Sequence, residues 1–306
     1  DNNQYLEQIR FFRQWMRHHK MFTLLRRLRH GPLKNWASLW KILGDFYRIS
    51  LRFLGIFGIR TSTSMKIGPY GPFKLDSRFT FSNFEQHGDH SKTVTFRPII
   101  EAATNTQCVF DIGAHVGLIT LPASKLVAPG GRVYAFEPSD FNRAMLLRHI
   151  ALNDANNVEV VGDLVGAKDE SEIVFYQQSK DSTMNTVVEF PKDSHWPKLP
   201  SMNTTRKRQI CLDTFCKERD LKPDVIKINT QGAEFGVLKG AEATIRAAQP
   251  TIFLSVHPQY LEILGSSVDE LSKLIDDLGY VCVNYLGKNI EVLAHDDYIL
   301  HPKQIN

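Results

Sequence analysis

Residues 109–118 read VFDIGAHVGL and residues 132–138 read RVYAFEP. In the first stretch an apolar run with one acid leads into two glycines. This order predicts a buried parallel strand that turns sharply and opens a helix. The second stretch predicts another apolar strand with Glu137 at its carboxyl end, where a carboxylate can accept both hydroxyls of a ribose. Together they predict a nucleoside-binding crevice at the carboxyl edge of an α/β sheet.

The spacing of the glycines indicates which nucleoside binds there. A dinucleotide-binding turn has the pattern G-x-G-x-x-G, because a pyrophosphate sits on the helix N-terminus. Here the turn is G-x-x-x-G, from Gly113 to Gly117, and it is preceded by Asp111. An acid at this position repels a pyrophosphate and suits an ammonium group, such as the one at the amino-acid end of S-adenosylmethionine. The alternative is an ordinary strand–turn–helix corner capped by Asp111, and the two stretches in this order favour the nucleoside site over it.

Five segments in a fixed order resemble the FkbM-type methyltransferases, a branch of the S-adenosylmethionine-dependent Rossmann-like enzymes. They are VFDIGAHVGL, YAFEPSDFNRAMLLRHIALN, NVEVVGDLVGAKD, VIKINTQGAEFGVLKGA and PTIFLSVHP, within residues 80–300. The resemblance implies an α/β class I methyltransferase fold, with a mostly parallel seven-stranded sheet and helices on both faces. The chain departs from the family pattern at His115, where the family usually has Asn, and at Asn229, where it usually has Asp.

Strand and helix patterns alternate from residue 66 onward, as a parallel sheet requires. A small hairpin is predicted over residues 66–82. The polar stretch 179–207, which contains three prolines, is predicted to be a loop over the active site. The other predicted elements are helices at 92–104, 117–128, 140–154, 234–247 and 268–278, and strands at 108–113, 132–136, 158–162, 173–178, 224–229, 251–256, 280–285 and 297–300.

Composition separates a basic extension from the rest of the chain. With 306 residues, 42% of them apolar, the chain can bury one large core and carry an extension. Residues 1–65 hold 12 Lys and Arg against 3 Asp and Glu, whereas the rest holds 25 against 30. Large apolar residues recur three or four apart in the basic part, which predicts amphipathic helices. We therefore predict a helical extension over 1–65 and a methyltransferase domain over 66–306.

Two interpretations of the extension remain open. It is either a peripheral membrane-binding or partner-binding arm, or a helical cap or oligomer interface with a solvated basic face. Nucleic acid is a weaker third partner, because no nucleic-acid module is recognisable and the rest of the chain is acidic. The apolar stretch near Leu51 to Ile59 is too short to span a membrane. The four cysteines form no C-x-x-C pair, which favours a reducing compartment over a zinc site, so we expect a cytoplasmic protein, free or peripheral at a membrane.

The predicted cofactor site follows the carboxyl ends of the first three strands of the sheet. The expected residues are, for the methionine end, Asp111 and the backbone of Gly113, Ala114, His115 and Gly117; for the ribose, Glu137 and Pro138; and for the adenine, Asp163 and Leu164. An acid after a strand is also a common turn former, which is the alternative for Asp163.

Methyl transfer to a hydroxyl needs alignment and a base, since the leaving group is neutral. Asn229 is predicted beside the methyl group, but an amide cannot take a proton, so we expect it to orient the substrate. His257 is the first candidate for the base and His115 the second; the alternative for each is an exposed or capping histidine. Glu234 is interpreted as a cap on the first turn of helix 234–247. No metal ligands are predicted.

The chain is thus predicted to be an S-adenosyl-L-methionine-dependent O-methyltransferase acting on a sugar, a glycan or another small natural product. A catalytically impaired cofactor-binding protein, docked through its basic helices, is the alternative that Asn229 favours. A nucleic-acid methyltransferase is disfavoured, because the signature [DN]-P-P-[FYW] is absent.

Overall fold

The computed structural model describes residues 28–29, 31–33, 35–88, 94–178, 185–187 and 202–303. The chain divides into two compact units, Asp1–His87 and Gly88–Asn306. This division places the hairpin predicted over 66–82 in the first unit, whereas the sequence assigned it to the methyltransferase domain. Residues 1–27 of the predicted extension lie outside the described residues.

The first unit contains one long helix and one hairpin. Helix α1 is Ala37–Ile56, and strands β1, Ser62–Ile67, and β2, Tyr70–Asp76, pair antiparallel. Their inward residues are the buried ones: Met65, Ile67, Phe73 and Leu75. Two short 3-10 turns follow, at Ser77–Phe79 and Phe84–Gln86. The helix is tied to the first turn, because the Tyr47 hydroxyl donates to the carbonyl oxygen of Ser77 at 3.0 Å.

The second unit alternates strands and helices along the chain. In chain order its elements are α2 Phe96–Ala103, β3 Cys108–Ile112, α3 Thr120–Leu126, β4 Arg132–Phe136, α4 Asp140–Leu152, β5 Val158–Val161, β6 Leu164–Val165, β7 Glu170–Gln178, β8 Met202–Ile210, α5 Leu212–Arg219, β9 Val225–Ile228, α6 Glu234–Lys239, α7 Glu242–Ala248, β10 Thr251–Ser255, α8 Pro258–Ile263, α9 Val268–Asp277, β11 Tyr280–Val283 and β12 Asp297–Pro302. Among the described helices of the two units, none is long and apolar enough to cross a membrane.

A seven-stranded sheet forms the centre of this unit, in the order β11-β12-β10-β9-β3-β4-β5. The strands from β10 to β5 are parallel, and β12 runs antiparallel to both of its neighbours. The order reverses between β3 and β9, so the carboxyl ends of these two strands border the crevice where such sheets bind ligands. The predicted fold class, a Rossmann-like and mostly parallel seven-stranded sheet, is confirmed.

Aromatic packing holds the central strands together. The Phe110 ring of β3 lies 5.4 Å from the ring of Tyr134 and 5.5 Å from that of Phe136, both on β4. Phe215 of α5 closes the cluster, with its ring 5.2 Å from that of Phe136. Edge-to-face contacts of this kind stabilise a core beyond the area they bury. They fix the strand ends that carry the site.

Two of the secondary-structure predictions were wrong in part. Residues 202–207 were predicted to lie in a loop, but they belong to β8, which pairs antiparallel with β7 and parallel with β6. Cross-strand pairing forms this strand although its sequence, MNTTRKRQI, has little apolar alternation. The single helix predicted over 234–247 is divided into α6 and α7 at Gly240. A Cβ there would lie 2.1 Å from the Gly166 carbonyl oxygen, so a distant loop shapes the break.

Candidate active site

The glycine turn after β3 packs closely against the end of β9. Gly113 has φ of +80° and Gly117 has φ of +92°, a region that favours glycine. A Cβ on Gly113 would lie 2.0 Å from the carbonyl oxygen of Asn229, and one on Gly117 would lie 2.7 Å from Cδ1 of Leu146. The sequence predicted a sharp turn at these two glycines. The structure shows that packing of the chain against itself already requires them.

Asp111 is enclosed by the protein. It is fully buried, its Oδ1 lies 3.0 Å from Nζ of Lys227, and its Oδ2 accepts a hydrogen bond from Thr120 Oγ1 at 2.6 Å. Lys227 Nζ also donates to the carbonyl oxygen of Gly113 at 2.7 Å. The expectation that Asp111 faces a ligand ammonium is therefore corrected, because a lysine of the chain already occupies that position. The signal for Lys227 was one cation inside the apolar strand VIKI.

Glu137 lies buried at the end of β4 and accepts two backbone hydrogen bonds. The amide of His115 donates to its Oε2 at 2.7 Å, and the amide of Ser139 donates to its Oε1 at 2.9 Å. Burial raises the pKa of Glu137 to about 6, although these donors oppose the shift. The Asn142 side chain is a third hydrogen-bond partner, so about one of the roughly four acceptor positions of this carboxylate stays open for a ribose hydroxyl. The contact of Glu137 with the ribose stays a prediction.

His115 sits in the glycine turn at a left-handed φ of 52°. Its Nε2 is buried and has no hydrogen-bond partner among the described residues. Burial, together with the positive charge of Lys227, lowers the pKa of His115 to about 4. The ring is therefore neutral at pH 7. So low a pKa makes it a weak general base, while the unpartnered Nε2 remains open to a ligand.

Two arginines that were not among the predicted site residues form hydrogen bonds at the predicted adenine end of the site. Asp163 Oδ2 accepts from Arg208 Nη2 at 2.6 Å and from its Nε at 3.1 Å. Arg143 Nη1 donates to the carbonyl oxygens of Pro138 at 3.3 Å and Gly162 at 3.4 Å, which ties the ends of β4 and β5 together. Leu164 is buried at the start of β6. The adenine contacts of Asp163 and Leu164 stay predictions.

A buried carboxylate–imidazole pair lies at the ends of β9 and β10. Glu234 is fully buried, and its Oε1 lies 2.8 Å from Nδ1 of His257 and accepts from the Gly232 amide at 3.0 Å. Because a carboxylate only accepts, the pair assigns the proton of the neutral ring to Nδ1 and leaves a lone pair on Nε2. Glu234 was interpreted as a helix cap. The structure shows that it also holds His257.

Gln231 joins this pair to Asn229. Its Nε2 lies 3.2 Å from His257 Nε2 and donates to Asn229 Oδ1 at 3.4 Å. Gln231 has φ of 55°, and its carbonyl oxygen accepts from Thr186 Oγ1 at 2.8 Å. The structure therefore brings two of the three predicted catalytic residues together. His115 lies in the glycine turn instead.

Buried polar atoms without a hydrogen-bond partner lie on both sides of the crevice: Asp111 Oδ1 and His115 Nε2 on the side of β3 and its turn, and two more near the Glu234–His257 pair. Among the described residues, Glu234 Oε2 and Thr230 Oγ1 are buried without a hydrogen-bond partner. A buried polar atom without a partner costs free energy, so such atoms often mark a position that a ligand completes. The part of the chain that the structure describes contains no group of three or more His, Cys, Asp or Glu side chains arranged to hold a metal. The expected absence of metal ligands stays a prediction.

Comparison with known proteins identifies a family. A family model described as "Methyltransferase FkbM domain" matches residues 111–282. No match was found among curated proteins.

Three similar solved structures are methyltransferases. An FkbM methyltransferase from Methylobacillus flagellatus KT is 19% identical with a TM-score of 0.41, and the match covers 65% of this chain and 44% of that one. A precorrin-6y C5,15-methyltransferase from Geobacter metallireducens GS-15 is 14% identical with a TM-score of 0.39, covering 70% and 90%. An rRNA methylase from Streptococcus thermophilus is 11% identical with a TM-score of 0.39, covering 70% and 98%. The chain thus spans less than half the length of the first of these proteins.

Proposed function

Because the chain belongs to the FkbM methyltransferase domain family, we propose that it transfers a methyl group from S-adenosyl-L-methionine to a hydroxyl oxygen of a sugar, a glycan or another small natural product. The observation that carries the proposal is the buried Glu234–His257 pair, which leaves His257 Nε2 as an acceptor beside Gln231. A hydroxyl needs such a base, whereas a more nucleophilic acceptor does not.

The residues at the glycine turn fit the cofactor. Glu137 has spare acceptor capacity for the ribose, and the backbone from Gly113 to Gly117 with His115 Nε2 offers polar groups for the remainder. When bound, S-adenosyl-L-methionine supplies an electrophilic methyl group on a sulfonium. Asp111 pairs with Lys227, which donates to the carbonyl oxygen of Gly113. In this proposal Asp111 therefore supports the turn and does not contact the cofactor.

His257 would accept the proton of the substrate hydroxyl at Nε2, and the cofactor would supply the methyl group to the hydroxyl oxygen, its S–C bond breaking to leave neutral S-adenosylhomocysteine. The imidazolium that results is stabilised by the Glu234 carboxylate, which lies 2.8 Å from Nδ1. Gln231 gives up its contact with Nε2 and orients the incoming hydroxyl. Asn229, which Gln231 already contacts, positions the substrate without exchanging a proton.

Turnover to S-adenosylhomocysteine with a panel of sugar, glycan and phenolic acceptors tests the activity. His257→Gln is expected to lower kcat by about 10²–10⁴-fold, the usual contribution of a positioned base. His295→Gln is the matched control, since its exposed ring lies 5.1 Å from that of His257 and is expected to leave kcat within about twofold. Retention of full kcat by His257→Gln would refute the base assignment.

Cofactor binding is a separate test. Calorimetry is expected to show micromolar affinity for S-adenosylhomocysteine and no binding of NAD. Glu137→Ala is expected to weaken that binding by about 1–3 kcal/mol, because ribose hydroxyls would be left unpaired. Binding of NAD alone would contradict the cofactor assignment, whichever acceptor is used.

One observation favours a second function. Asn229 stands where the family usually has an acid, so the chain could bind the cofactor without turning it over. In that case S-adenosylhomocysteine would bind with normal affinity, yet no acceptor would be methylated. The Asn229→Asp exchange, described in the Discussion, distinguishes an adapted enzyme from an impaired one.

A further inference from the structure

Helix α1 carries a continuous apolar stripe on its solvent-exposed side. The stripe consists of Ile42, Phe46, Ile49, Phe53 and Ile56, which are between 60% and 78% exposed. Their spacing of four, three, four and three residues places them on one face of the helix. The Phe53 ring also contacts that of exposed Phe57, at 5.1 Å, which extends the stripe to the end of α1.

The stripe is separate from the face by which α1 packs within its own unit. That other face carries Trp40 and Gly44, which are buried, and Tyr47, whose hydroxyl lies 2.8 Å from Thr80 Oγ1. The helix therefore has two apolar faces, of which one is used inside the unit. An exposed apolar patch of this size and continuity indicates an interaction surface.

The charge beside the stripe indicates an anionic partner. Lys41 is exposed, and arginines occupy positions 48 and 52, so the three positions fall on one side of the helix at spacings of seven and four residues. Asp45, the one acid of α1, lies on the same side, four residues after Lys41, so three basic positions and one acid leave a net charge of +2 there. Residues 1–27, with six Lys and Arg against two acids, are also basic. Residues 1–27 and a second copy of α1 are both basic, so each would be repelled by the basic side of this helix. This repulsion disfavours either of them as the partner that packs on the stripe.

Length and composition point to a lipid surface. A 20-residue helix is about 30 Å long, and aromatic residues stand along its exposed side, including Trp36 just before its start. Lysine and arginine beside an apolar face with Phe and Trp are typical of helices that lie in the headgroup region of a bilayer. We propose that α1 docks the protein on anionic membranes, with the stripe inserted and the cations on the headgroups.

Vesicle flotation with the full chain tests this docking. Binding is expected to vesicles with about 30 mol% phosphatidylserine in phosphatidylcholine, to be much weaker to phosphatidylcholine alone, and to fall in high salt. The variant Phe46→Ser/Phe53→Ser is expected to lose binding. Lys41→Glu/Arg48→Glu/Arg52→Glu is expected to weaken it by about 100-fold or more.

The matched control is Leu286→Ser/Val292→Ser, which removes two exposed apolar residues of the second unit and is expected to bind vesicles like the parent chain. Unchanged vesicle binding by Phe46→Ser/Phe53→Ser, or no preference for phosphatidylserine, would overturn the proposal. So would a parent dimer that the same variant dissociates, since the stripe would then cover a second copy. A lower melting temperature for that variant, without vesicle binding by the parent, would show that the chain covers its own stripe.

Discussion

The crevice contains two buried carboxylates, Asp111 beside a lysine and Glu234 beside a histidine. They differ in how far the protein itself satisfies their oxygen atoms. Asp111, under the glycine turn, pairs with Lys227 at 3.0 Å and accepts from Thr120, and it is fully enclosed. Glu234, at the start of α6, pairs with His257 at 2.8 Å, but its Oε2 has no hydrogen-bond partner among the described residues. The Asp111 carboxylate has a cation of the protein 3.0 Å from its Oδ1, whereas Glu234 Oε2 has neither a cation nor a hydrogen-bond donor beside it among the described residues. The difference separates a structural pair from a chemical one.

The largest effect is expected from breaking the structural pair. Lys227→Met leaves the Asp111 carboxylate buried without its cation, which is expected to cost about 3–5 kcal/mol of unfolding free energy. The added change Asp111→Asn removes the unpaired charge and is expected to restore much of that loss. Urea unfolding of the single and double variants measures both. A single variant as stable as the parent would show that the pair does not support the fold.

A smaller effect, on kcat and not on stability, is expected from a change in the Glu234–His257 pair. Glu234→Gln keeps the acceptor for His257 Nδ1 but removes the charge that stabilises the imidazolium, so kcat is expected to fall by about 100-fold. Stability is expected to change by less than about 1 kcal/mol, because the amide preserves the shape. Steady-state kinetics and urea unfolding on the same preparation test the two halves of this expectation. A large loss of stability with unchanged kcat would make Glu234 structural, like Asp111.

His115, in the glycine turn, makes the stability of the protein depend on pH. His115 has its pKa lowered from 6.5 to about 4, so between these values the unfolded chain binds a proton that the folded one does not. Protonation of His115 therefore lowers stability as the pH falls through this window. The contribution of His115 to this loss between pH 7 and pH 5 is expected to be about 2 kcal/mol, offset in part by Glu137, whose pKa is raised to about 6; the difference between the parent and His115→Asn isolates it. Thermal or urea unfolding at several pH values measures the stability of both proteins. An equally steep pH dependence in His115→Asn would contradict this expectation.

The smallest effect is expected at Asn229. An amide and a carboxylate have nearly the same shape, so Asn229→Asp is expected to leave folding and cofactor binding unchanged and turnover similar or lower. In the proposed mechanism His257 supplies the base, so a carboxylate at position 229 would add no function that the site lacks. Turnover of S-adenosyl-L-methionine measures the outcome. A rise of about 100-fold or more would mean that the chain has lost a catalytic acid, and the active-enzyme interpretation would fall.

Local pattern alone was sufficient for the strands that frame the crevice. The predicted strand 132–136 coincides with β4, and the strand predicted over 108–113 contains β3. Both are short apolar runs followed by turn residues, Gly113 after β3 and Glu137 with Pro138 after β4, a signal that does not depend on distant residues. For the same reason the position of Glu137 at a strand end could be predicted, and His257 could be named as a base because it follows a predicted strand directly.

The partners of the buried charges were decided by the tertiary structure. Lys227 lies far from Asp111 in the sequence, and they meet because β9 enters the sheet beside β3. His257 meets Glu234 because β10 is the next strand along. Residue types and spacing therefore determined where carboxylates and histidines would stand. Which of them were neutralised and which kept a free acceptor depended on strand order, because the field at a buried group comes from neighbours that are distant in the chain.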